Sequence, residues 1–277
     1  MATGQRGAAV ANGRGPGVRP RRAPLAWVAA GSLLFFLVSW IGVDLLELEP
    51  DLYYLGYFTV AVLFLAAFVR AHRSRLRGWW TTNLLASLLV GAVVGLLLVG
   101  RVLGESGTRH PGGGRFVFEI LWRGLVYGSV DACVLYAFPA AVAWVIVDGD
   151  RRGRRRKLRY AGLAVGLSLL VTAAYHLGYP EYRGDLLRYP AIGAVAANIP
   201  TTLTGNAAGA LVAHPAMHLA AVAHLYGGSS EHLLPPRVVA GYAARGSADW
   251  GVGLGVAWMV LAAVVAGLVW WRRRRAR

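Results

Sequence analysis

Apolar residues fill most of this chain in long blocks set apart by short polar or basic segments. A helix needs about 20 such residues to cross a bilayer. The first block runs from about Leu25 to Leu46, and an acidic turn, Glu47–Asp51, leads into a second, Leu52–Val69. After the basic loop Arg70–Gly78 comes a third block, Trp79–Val102, whose two leading tryptophans suit a membrane interface. A Gly-rich loop, Gly104–Arg115, precedes a fourth block from Phe116 to about Val147. At roughly 30 residues this block is long for one crossing, which predicts a tilted helix or a kink at Pro139. Tyr160–Tyr179 is the fifth block. Pro190–Tyr226 is too long for a single crossing and carries Thr204-Gly205-Asn206 at its middle, so it reads as two short crossings or a re-entrant pair. A polar loop, Gly227–Asp249, separates it from the last block, Trp250–Trp271.

The pattern predicts an all-α fold: a polytopic transmembrane helical bundle of about eight spans over residues 25–271. Basic tails at residues 1–24 and 272–277 flank it, and the first, rich in Gly, Arg and Pro, is expected to be disordered. The first apolar block is too long and too far along the chain for a typical cleaved signal peptide, so it is expected to be retained.

Composition agrees with that picture. Of 277 residues 56% are hydrophobic, and the mean hydropathy is +0.49. The net charge of +16 would suggest nucleic acid in a soluble chain, but here 21 of the 29 Lys and Arg sit in the N-terminal tail, the Arg70 loop, the Arg151–Arg159 loop and the C-terminal tail. That distribution is the positive-inside signature, not a nucleic-acid surface. It predicts a multi-pass protein of the cell membrane with both termini cytoplasmic and the Glu181–Arg188 and Gly227–Asp249 loops outside. Two crossings within Pro190–Tyr226 are needed to keep the Arg272 cluster on the same side as the other basic segments. The partners implied are membrane lipids and a membrane protein or peptide substrate. The single cysteine, Cys133, excludes an intrachain disulfide and a thiolate metal cluster.

Inside the apolar blocks a few polar residues stand out: Glu119, Arg123, Asp131, His176, Asn206, His214, His218 and His224. Ionisable groups in a bilayer cost a few kcal/mol each, so they usually face a partner or a wet cavity. Glu119 and Arg123 are four apart on one helical face and can neutralise each other. His214 and His218 have the same spacing, which lets two imidazoles hold one metal ion or bond neighbouring polar groups. His224 lies off that face and reads as structural.

Glu119-Ile-Leu-Trp-Arg123-Gly124 resembles the Glu-Glu-x-x-x-Arg motif of the CAAX-protease and bacteriocin-processing (CPBP, or Abi) intramembrane metalloproteases. The His176 region resembles that family's second motif, and His214-Pro-Ala-Met-His218 its His-x-x-x-Asn third motif. The resemblance covers roughly Phe116–Tyr226. It implies a peptidase in which Glu119 is the general base and His176, His214 and His218 hold zinc or another divalent metal. His218 would otherwise serve as an oxyanion donor, and Arg123 would orient Glu119 or bind a substrate carbonyl. Phe118 stands where the family has its first Glu, Thr172 where it has an aromatic residue, and His218 where it has Asn. Two other readings stay open: a non-catalytic membrane scaffold, and a transporter whose acids and histidines relay protons. A transporter often shows an internal repeat, and none is visible.

Overall fold

The computed structural model describes residues 22–109, 112–225 and 249–275. Among these the chain is helical, with no strand. Helix α1 (Arg22–Ser39) is prolonged by a π-helical turn, Trp40–Leu45; α2 is Pro50–His72 and α3 Leu84–Leu103. Helix α4 runs from Gly113 to Ile146 as one 34-residue helix. Then come α5 (Arg154–Leu177), the two halves of a broken helix, α6 (Arg188–Ala197) and α7 (Ile199–Thr204), then α8 (Ala210–Leu225) and α9 (Asp249–Arg275). Six of these segments, α1 to α5 and α8 with its leading turn, are long and apolar enough to cross a membrane, and α9 adds a shorter apolar stretch, Val252–Leu268. With the α6–α7 pair this makes an all-α membrane bundle of about eight spans. The outward faces suit a hydrocarbon solvent: Leu85 on α3 is 70% exposed and Leu96 is 72%. The tail and loop expected at residues 1–21, 226–248 and 276–277 lie outside the described residues.

Hydrogen bonds at the helix ends sort the loops onto two faces. On one face Arg75 pairs with Asp148, Trp144 Nε1 donates to the Arg75 carbonyl (3.1 Å), and Arg151 Nη1 donates to the Thr204 carbonyl (2.7 Å). The turn between α7 and α8 belongs to this face, because Trp79 Nε1 and Tyr160 OH both donate to the Gly205 carbonyl. Asn206 secures the turn: its amide nitrogen donates to the carbonyls of Trp80 (2.9 Å) and Thr82 (2.8 Å), while its oxygen accepts from Ala208 N–H. Gly205, at φ 81°, adopts the left-handed conformation that ends α7. The 190–226 block thus turns back at this face, and its second arm, Ala207–Leu225, is long and apolar enough to cross a membrane. On the opposite face Arg183 pairs with Asp44 (2.6 Å), Arg115 with Asp51 (3.2 Å), and Thr108 N–H with the His224 carbonyl (2.8 Å). The basic loops Arg73–Arg77 and Arg151–Arg156 share the first face.

Helix α4 is the most buried of the spanning helices. It alternates α and π geometry, with π-helical turns at Ile120–Val126 and Cys133–Ala137. The second lies just before Pro139, where a proline removes a backbone donor, so the chain absorbs the defect as a wider turn in a continuing helix. Helix α8 is wedged between α4 and α3 by two glycine pairs. A Cβ on Gly124 would meet Leu219 Cα at 3.3 Å, and one on Gly128 would meet Pro215 Cα at 2.8 Å. On the other side Gly91 abuts the Gly209 backbone, and Gly95 lies under Ala213. Small residues four apart let helix backbones approach closely where lipid offers no hydrophobic drive for association. Helix α9 rests on α2 and α4, with Gly255 against Phe118 and Trp258 Nε1 donating to Thr59 (3.2 Å).

Candidate metal centre

The close approach of α8 to α4 brings Asp131, His214 and His218 together. One ligand atom from each lies within 4.8 Å of the others. His214 Nε2 is 3.1 Å from His218 Nε2 and 3.7 Å from Asp131 Oδ2. Ligand atoms around one zinc ion at 2.0–2.1 Å lie roughly 3.3 Å apart, so these separations are close to what a shared cation requires. All three side chains are buried.

The surroundings fix each group. Tyr57 on α2 donates its hydroxyl to Asp131 Oδ1 at 2.6 Å. Tyr136 OH lies 3.4 Å from His214 Nδ1, and its ring meets the imidazole edge-on at 5.0 Å. Tyr127 packs edge-on against His218 at 4.8 Å. Among the described residues no lysine or arginine pairs with Asp131, whose partners are Tyr57 and His214. A cavity of about 60 Å³ opens beside the cluster, with His176 on its wall and Leu98, Tyr189 and Met217 at its more exposed side. His176 Nδ1 is 2.8 Å from the Thr172 carbonyl. A neutral imidazole that donates from Nδ1 keeps its Nε2 lone pair free.

The expected convergence is therefore met in part. His214 and His218 share one point and His176 lines the same cavity, but Glu119 and Arg123 stand elsewhere. Glu119 pairs with Arg115 and lies 3.9 Å from Arg123 Nε, while Arg115 also reaches Asp51. Arg123 sits over the Tyr54 ring at 6.0 Å. Twelve residues separate Glu119 from Asp131 on one helix, an axial rise of about 18 Å. Phe118, at the position of the family's first Glu, stacks on Trp122 and packs against Gly255 of α9. Asn206 serves the α7–α8 turn, and His224 Nε2 lies 2.8 Å from the Glu105 carbonyl. The residue to which the resemblance gave no role is Asp131, which had a part only in the proton-relay reading. Its depth was the available signal, because at 1.5 Å per residue it matches His214 better than Glu119 does.

No family model matches the chain, and neither a curated protein nor a solved structure matches it.

The donor set fits a divalent cation. Two imidazole nitrogens and one carboxylate are the ligands of an open, three-residue hydrolytic zinc site. Without a cation the same three residues have one another and the hydroxyls of Tyr57 and Tyr136 as partners.

Proposed function

We propose that this membrane protein is an intramembrane metal-dependent peptidase, a divergent relative of the CPBP metalloproteases, with its cation held by Asp131, His214 and His218. The observation that carries the reading is a buried carboxylate set against two imidazoles, with no arginine or lysine paired to it among the described residues. The order of the motif-like segments along the chain adds to it. When bound, a divalent cation at such a site polarises a carbonyl and acidifies a water. The chain's own residues do the rest. Asp131 and the two histidines supply ligands, and Tyr57 and Tyr136 hold them from behind. His176, fixed through Nδ1, presents Nε2 as the base that takes a proton from a water in the cavity. Glu119 and Arg123 hold α4 at its outer end and take no part in proton transfer.

The test is cleavage of a fluorescence-quenched membrane-spanning peptide by the full chain in proteoliposomes. Chelator-sensitive cleavage that Asp131→Asn and His176→Gln abolish is the expected result. A protein that binds metal and cleaves no such peptide would leave the non-catalytic scaffold as the function.

The basic face is the cytoplasmic one by the positive-inside rule, which puts both ends of the bundle inside the cell. Helix α9 packs Gly255 against Phe118 and Trp258 against Trp122, so it follows the same sense as α4 and heads toward that face. With Cys133→Ala as background, an impermeant thiol reagent on intact cells should label Gly184→Cys and spare Arg154→Cys. The reverse pattern would invert the topology.

A further inference from the structure

We infer that Tyr57 is the positioning residue of the metal centre: its hydroxyl orients Asp131 so that one carboxylate oxygen faces the histidines. This rests on reading Asp131, His214 and His218 as a cation site. The hydroxyl donates to Oδ1 at 2.6 Å, and the oxygen left free, Oδ2, is the one 3.7 Å from His214 Nε2. A carboxylate on a free χ2 would sweep both oxygens through that space, so the bond selects which one is presented.

Tyr57 is itself held rigidly. Its ring stacks on Tyr175 (centroids 5.1 Å apart, 23° between planes) and on Tyr53 (6.0 Å, 5°), and meets Phe35 edge-on. It is completely buried. The neighbouring hydroxyls bond one another, and the chain they form reaches Tyr57 through Tyr175 but does not bond Asp131 directly. Ser39 Oγ lies 3.0 Å from Tyr53 OH, Tyr53 OH 2.6 Å from Tyr179 OH, and Tyr179 OH donates to Tyr175 OH at 2.6 Å. Tyr57 is thus the member of this buried tyrosine cluster whose hydroxyl bonds a proposed ligand carboxylate. It also ties α2, which supplies no ligand, to the centre on α4 and α8.

Partners that orient metal ligands typically change affinity 10–100-fold when removed. The experiment measures Zn²⁺ affinity of the detergent-solubilised full chain by competition with a chromophoric chelator, and the visible absorption of bound Co²⁺. Tyr57→Phe keeps the ring and its stacking and deletes the hydroxyl. It should weaken Zn²⁺ binding about 10–100-fold and shift the Co²⁺ bands. Tyr53→Phe cuts the Ser39–Tyr53–Tyr179 chain inside the same aromatic cluster, and should leave both readouts at wild-type values. Wild-type affinity and spectrum in Tyr57→Phe would overturn the assignment. So would an equal loss in Tyr53→Phe, which would trace the effect to packing of the cluster. A wild-type chain that binds neither ion would overturn the cation site itself, and the role of Tyr57 with it.

Discussion

Helix α4 carries two polar clusters, one around Glu119 and one around Asp131, and they solve the problem of charge in a bilayer in opposite ways. At the outer end two acids, Asp51 and Glu119, meet two arginines, Arg115 and Arg123. The charges balance, and an arginine lies over an aromatic face. Deeper in the helix Asp131 meets two histidines and two tyrosines, with no paired lysine or arginine among the described residues. Its neighbours there are ligand-type groups facing a cavity. A polar group inside a membrane is thus no guide to function by itself. The useful distinction is whether its neighbours cancel it or leave a ligand's lone pairs facing a cavity.

The same chemical change should therefore have different consequences at the two places. Glu119→Gln leaves buried Arg123 and half-buried Arg115 with Asp51 as the one acid of the cluster, and should destabilise the bundle by about 3–5 kcal/mol, read as a shift in unfolding in mixed micelles. Adding Arg123→Gln should restore much of that loss. A single mutant as stable as wild type would show that the outer cluster is not a balanced unit. Gly91→Ala comes next. Its Cβ would enter the Gly209 backbone, and forcing α8 away from α3 should cost about 1–3 kcal/mol while weakening cation binding at His214 and His218. Unchanged stability and affinity would mean that the glycine pairs do not set the position of α8. The smallest effect belongs to Asp131→Asn. In metal-free protein it keeps the side chain's shape and an oxygen that can accept from Tyr57, and should leave stability within about 1 kcal/mol of wild type while abolishing cation binding. A loss as large as that of Glu119→Gln would place Asp131 in the same structural class.

The bundle was largely legible in the sequence, because apolar block length and basic loops report directly on the solvent around each segment. The turn at Thr204-Gly205-Asn206 was legible too: a glycine and an asparagine in the middle of an overlong apolar block mark where the backbone must change direction. His214 and His218 were legible from their spacing. Their acid was not. A 3.6-residue period puts Glu119 and Arg123 on one face, but the π-helical turns at Ile120–Val126 and Cys133–Ala137 each shift the phase of α4. The face of Asp131 relative to Glu119 is then set by the fold and cannot be counted from the chain. The pairs Gly91/Gly95 and Gly124/Gly128 were in view, and small residues four apart could have shown where α8 packs. Tyr57 carried no signal, since one tyrosine among many has no period or motif to single it out.

The most direct measurement of the central claim is the divalent metal content of the purified full-length chain after zinc loading and removal of free ion. The wild-type chain should hold about one zinc, as one three-residue site requires, and His218→Ala protein that still folds should hold almost none. Wild-type protein free of metal, or a His218→Ala variant that holds as much as wild type, would contradict the claim.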